Sequence, residues 1–176
     1  IKNANKVHVK KTPNVGRDYG PMVCEFRKNL KKYDYICHIH TKKSLRTGAS
    51  QDAWRIHLLD GVLGSKNLIK NIFYMFENMN VGIYFPDNDT SAPYWGNTWM
   101  GAKTLGIKYL SLLGIPFEDN YQDFSVGSMF WVKKAAAKQI FDRNWKWDEF
   151  GEECGQDDGT LAYVFERLFV LCSNYN

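Results

Sequence analysis

The segment Tyr35-Ile36-Cys37-His38-Ile39-His40-Thr41-Lys42-Lys43-Ser44 puts two histidines, two lysines and two hydroxyls within seven residues. Side chains alternate along a strand, so His38 and His40 share a face, and imidazoles at that spacing can bind a metal. Two ammonium groups follow at once and the segment holds no carboxylate, so a divalent cation would be repelled there. The better match is an anionic, phosphate-bearing ligand at Thr41, Lys42, Lys43 and Ser44, beside His40. Lysine then supplies the charge that a metal supplies elsewhere. The competing reading is a solvated basic loop.

Three further constellations carry chemical potential. In Asn14-Val15-Gly16-Arg17-Asp18-Tyr19-Gly20-Pro21, glycine permits close backbone approach to a ligand. Arg17 offers a guanidinium for phosphate, and Asp18 a carboxylate for ribose or sugar hydroxyls or, alternatively, a helix cap. The spacing fits neither a P-loop nor a dinucleotide fingerprint. Asp157 and Asp158 stand where a helix begins; acids there are commonly caps, and a carboxylate there is also a candidate general base. Tyr94, Trp95 and Trp99 lie in a long loop and either stack on a sugar ring or cover the core.

Charge is distributed unevenly. The net charge is +4, yet residues 1–70 carry +10 and residues 71–176 carry −6. A basic half favours a phosphate-bearing partner. No basic and aromatic residues interleave along one element, so nucleic acid is not the expected partner. Cys24, Cys37, Cys154 and Cys172 form neither a CxxC pair nor a zinc spacing, which favours a reducing compartment. No apolar run is long enough to span a bilayer.

The elements that must position these residues follow from periodicity. Residues 5–10 alternate around Val7 and Val9 and read as a strand. Met22–Lys31 has helical spacing, Tyr33–His40 reads as a strand, and Thr41–Ser50 as a basic loop. Helices are predicted over Trp54–Leu63, Asn67–Met79, Lys103–Leu113, Ala135–Phe141 and Asp157–Val170. Val81–Phe85 reads as a strand closed by Pro86, Trp145–Gly155 as irregular, and Phe124–Val132 as a strand broken at Gly127. Strands separated by helices imply an α/β domain with helices on both faces of a sheet and a ligand beyond strand ends. An apolar share of 44% suffices for one core across 176 residues.

These segments together resemble the rhamnan synthesis protein F family of bacterial polysaccharide glycosyltransferases. The matching pieces are Asn14–Pro21; Tyr33–Ile36 leading into His40–Ser44; Trp54-Arg55, Leu59-Asp60 and Leu63–Ser65; Gly127-Ser128-Met129-Phe130-Trp131; and Gln156–Ala162 with Glu166-Arg167-Leu168. They stand in family order over nearly the whole chain.

The resemblance implies a nucleotide-diphospho-sugar transferase (GT-A-like) fold. It also implies transfer of a sugar, typically rhamnose, from a nucleotide-activated donor to a growing bacterial surface polysaccharide. It extends the nucleotide-sugar site to Asn14, Gly16, Arg17, Asp18, His40, Thr41, Lys42, Lys43, Ser44 and Arg55. Trp95, Trp99, Gly127 and Ser128 are left to shape an acceptor cleft, and Asp158, with Asp157 as alternate, to act as base. His40-Thr41-Lys42 stands where many such enzymes carry a metal-binding Asp-x-Asp, so a divalent cofactor is not expected.

The opening strand and helix of that fold are missing, so residues 1–176 read as one glycosyltransferase-like domain from a longer chain. The partners implied are the donor and a glycan or lipid-linked acceptor. The implied location is cytoplasmic, with peripheral association at the inner face of the membrane through the full-length protein. Two alternatives remain at this stage: a non-catalytic glycan- or nucleotide-binding module, and a metal-dependent hydrolase using His38 and His40.

Overall fold

The computed structural model describes residues 4–41, 50–87, 97–120, 123–152, 154–155 and 158–175. Three short strands form one antiparallel sheet among them: β1 (Tyr35–His38), β2 (Ile83–Tyr84) and β3 (Phe130–Lys133), in the order β1-β3-β2. In this register Ile36 faces Val132, His38 faces Phe130, and Ile83 pairs with Val132 from the other side.

The helices are α1 (Arg27–Leu30), α2 (Ser50–Leu63), α3 (Lys66–Asn78), α4 (Lys103–Leu113), α5 (Lys138–Asp142) and α6 (Leu161–Tyr175). A π-helical turn, Pro21–Glu25, leads into α1. Local chemistry sets several boundaries. Ser65 caps α3 by accepting the Leu68 N–H at 3.0 Å. Gly114, at φ +71°, ends α4 and donates its N–H to Leu110 and Ser111.

Alternation along β3 divides the domain. Phe130 and Val132 turn toward α6, α4 and α5, where Phe165, Leu168, Phe169, Leu110 and Phe141 form the main core. Met129 packs with Leu58 and Val62 of α2, and Trp131 packs against that cluster. The Phe73 ring of α3 meets Trp131 edge-on at 5.4 Å. Helices therefore cover both faces of the sheet, as expected.

Two expectations need correction. Residues 5–10 form no strand: Val7 and Val9 are 58% and 87% exposed, and period-two alternation without a partner strand buries nothing. The strand expected from Phe124 begins only at Phe130, because Gly127 and Ser128 both take positive φ, +89° and +62°. The mixed α/β sheet is also all antiparallel, so the site does not lie along a row of parallel carboxyl ends. Instead the carboxyl end of β1 meets the turn that enters β3.

Candidate functional site

A cleft of about 250 Å³ opens where those two ends meet. Arg17, Asp18 and Tyr19 line it from the first turn, His40 and Thr41 from beyond β1, Gly127 and Ser128 from before β3, and Ala162, Tyr163 and Glu166 from α6. Six of the lining residues, namely Arg17, Asp18, His40, Thr41, Gly127 and Ser128, are ones the sequence singled out. They come from three distant segments.

The first turn is folded tightly around two glycines. Gly20 N–H donates to Gly16 O at 2.8 Å. Gly16 stands at φ +71°, and a Cβ there would lie 2.6 Å from the Phe150 ring. Arg17 also takes a positive φ, +51°, and its guanidinium lies 4.4 Å from the centroid of the Tyr163 ring. Asn14 is exposed on the approach to this turn and does not line the cleft.

The second turn has a similar logic. A Cβ on Gly127 would stand 2.6 Å from Leu58 Cδ1 and 2.8 Å from Trp54 Cζ2, so α2 closes the back of the turn. Gly127 O accepts from His40 Nε2 at 2.8 Å, and Ser128 O accepts from His38 Nδ1 at 2.6 Å. The Ser128 hydroxyl donates to Glu166 at 3.3 Å. The strained Ser128 backbone thus aims its carbonyl at β1 and its hydroxyl at α6.

His38 sits behind the cleft, buried between Tyr19, whose ring stacks on it at 5.4 Å, and Phe130 at 5.2 Å. Burial lowers its pKa, the Asp18 carboxylate and the Ser128 and Asp18 backbone oppose that fall, and the net shift is downward. Its Nε2 stands 3.8 Å from Asp18 Oδ2, beyond hydrogen-bond reach. Asp18 Oδ2 is buried and, among the described residues, has no hydrogen-bond partner; the Tyr19 hydroxyl is in the same position. Burial first, then the carboxylates of Asp18 and Glu166, push the Tyr19 phenol well up, so it remains a neutral hydroxyl.

Other expected site residues lie elsewhere. Asp158 is outside the cleft lining; its Oδ2 accepts the Gly101 N–H at 2.6 Å. Arg55 projects from α2 toward Asp52, with Nη2 3.2 Å from its carboxylate. Trp99 is 2% exposed, and its indole N–H donates to Glu118 O at 2.9 Å, so it fills the core. Lys42, Lys43, Ser44, Trp95 and Asp157 lie outside the described residues.

Sequence reading gave no role to Glu166, Tyr163 or Tyr19. The available signal was the helical spacing of Ala162, Tyr163 and Glu166, which places all three on one face of α6. Next to Glu166, Arg167 is buried and ties α6 to the segment before α4: its Nε and Nη2 donate to Thr98 O at 2.9 and 2.6 Å.

Nucleophilic cysteine chemistry finds no support in three of the four thiols. Burial pushes Cys37 and Cys172 up to about 12 and Cys24 to about 11, far from thiolate at neutral pH. Among the described residues, no three His, Cys, Asp or Glu side chains group as metal ligands.

The fold and cleft define a small mixed α/β domain whose site is gathered at one end of its sheet. The chain belongs to the rhamnan synthesis protein F family, whose model matches residues 1–175. It is 29% identical over 165 residues to the uncharacterized protein WxcX of Xanthomonas campestris pv. campestris strain B100, covering 93% of this chain and 23% of that protein. A WxcX protein from a second strain of that pathovar is 28% identical over the same shares. The chain thus spans about a quarter of the length of these relatives. No solved structure matches it significantly. No helix among the described residues is long and apolar enough to cross a membrane.

Proposed function

We propose that this domain transfers a sugar, rhamnose in the first instance, from a nucleotide-activated donor to a growing bacterial surface polysaccharide, as a glycosyltransferase of the GT-A type within a longer protein. One observation carries the reading. Residues selected for anion and sugar chemistry from three separate segments converge on one cleft, in a chain of the rhamnan synthesis family.

Arg17, Lys42 and Lys43 hold the diphosphate, with Thr41 and Ser44 beside it. The positive charge replaces a metal and stabilises the leaving nucleoside diphosphate as its bond to the sugar breaks. Asp158, or Asp157 beside it, takes the proton of the acceptor hydroxyl that forms the new glycosidic bond. The acceptor is a glycan or a lipid-linked glycan, which places the full-length protein at the inner membrane face.

Titration with nucleoside diphosphates, with and without magnesium, tests the donor site. Binding independent of the metal supports the reading, and binding that requires it overturns the replacement of metal by lysine. Transfer unchanged by Lys42→Ala with Lys43→Ala in the full-length protein would overturn the electrostatic role of the lysines.

A further inference from the structure

Among the described residues, the charged lining of the cleft is one guanidinium, Arg17, against two carboxylates, Asp18 and Glu166. The decisive atom is Asp18 Oδ2, buried and without a hydrogen-bond partner among the described residues. A buried carboxylate oxygen left unpaired is costly, so the site needs a donor.

His38 does not provide it. A carbonyl only accepts, so the 2.6 Å contact with Ser128 O fixes the His38 proton on Nδ1. Its Nε2 stands 3.8 Å from Asp18 Oδ2, beyond hydrogen-bond reach. An occupant of the cleft that brings a donor satisfies this oxygen. A phosphate offers only acceptor oxygens and negative charge to two carboxylates. A sugar hydroxyl donates, carries no charge and tolerates both.

Glu166 adds a second carboxylate to the cleft wall, where it also accepts the Ser128 hydroxyl at 3.3 Å. The cleft, about 250 Å³, falls below the range of roughly 300–1,000 Å³ that encloses drug-sized ligands, which suits one ring rather than a whole nucleotide-sugar.

We infer that the cleft is a hexopyranose subsite in which Asp18 Oδ2 and Glu166 accept hydrogen bonds from ring hydroxyls, with the diphosphate at its rim beside Arg17 and Thr41. That the hexose belongs to a nucleotide-activated donor rests on the transferase reading; the polarity of the subsite does not. Asp18 and Glu166 thereby select the sugar.

The test is a pair of titrations on the protein, one with methyl α-L-rhamnopyranoside and one with the nucleoside diphosphates UDP and dTDP. Glycoside binding weakened about 10–100-fold in both Asp18→Asn and Glu166→Gln, with diphosphate binding held within about twofold, supports the subsite. Glu166 is partly solvent-exposed, so its variant remains informative if Asp18→Asn misfolds. Wild-type glycoside binding in either variant, or no glycoside binding by the unaltered protein, overturns it, as does tighter diphosphate binding in Asp18→Asn. Glycoside binding as expected, with no diphosphate binding at all, supports the subsite and overturns the transferase reading instead.

Discussion

His38 Nδ1 lies 2.6 Å from the carbonyl oxygen of Ser128, which joins the end of β1 to the turn that enters β3. The contact fixes which nitrogen carries the proton and leaves Nε2 facing a carboxylate with which it makes no hydrogen bond. The burial of His38 also couples the fold to pH.

Burial lowers the His38 pKa in the folded protein below its ordinary value near 6.5. The unfolded chain therefore binds a proton at His38 more readily. The associated stability is fully present above pH about 6.5 and is lost as pH falls through the lower, folded value. Thermal unfolding at pH 7.5 and pH 5.5 should show a lower midpoint at the acidic pH. His38→Asn should flatten that difference, because an amide can still donate to Ser128 O without titrating. An undiminished difference in the variant would assign the pH dependence to other groups.

Gly127 has neither the room nor the backbone angle for a side chain. At φ +89°, with Leu58 Cδ1 2.6 Å from a built Cβ, Gly127→Ala should cost about 2–5 kcal/mol in urea unfolding, the sum of a left-handed penalty and overpacking. A cost under about 0.5 kcal/mol, the range of an ordinary surface change, would mean that the turn is not held as described.

Trp99 is a core residue by geometry, whatever its attraction as a sugar platform. A Cβ on Gly106 would stand 2.3 Å from its ring, and its N–H is spent on Glu118 O. Trp99→Phe should destabilise the domain by about 1–3 kcal/mol through the lost hydrogen bond and the space left behind. Glycoside binding should stay within about twofold of the unaltered protein. Strong loss of binding in a stably folded Trp99→Phe would return the residue to the cleft.

Much of the scaffold was legible from the spacing of its apolar residues. Ser65 starts α3 and Gly114 stops α4, and both helices stand where the apolar spacing put them. Gly127 marked the break before β3. Val7 and Val9 misled because alternation records only a tendency to pair, and among the described residues no partner strand stands beside them. Arg17, Asp18 and His40 were singled out from residue type and Ser128 through the resemblance, and all four line the described cleft. Glu166 was given no role, since an acid between buried Phe165 and Arg167 resembles the solvated side of an amphipathic helix. Its position beside Ser128, on the cleft that Asp18 also lines, depends on how α6 packs on the sheet, a long-range contact that local sequence does not encode.

Asp158 sits outside the cleft lining, held by the Gly101 N–H. If it accepts the acceptor's proton, Asp158→Asn should retain that hydrogen bond and the fold while transfer by the full-length protein falls about 10²–10⁴-fold. Transfer within about tenfold of the unaltered protein would remove it as the base.

The most direct measurement of the central claim is a crystal structure of the protein with a nucleotide-activated rhamnose. The account predicts the hexose between Asp18 and Glu166, within hydrogen-bond distance of Asp18 Oδ2, and the phosphates at the rim beside Arg17 and Thr41. A hexose seated elsewhere, such as the cavity lined by Ile83, Phe85, Ile115 and Val170, or phosphates lying against Asp18 and Glu166, would contradict it.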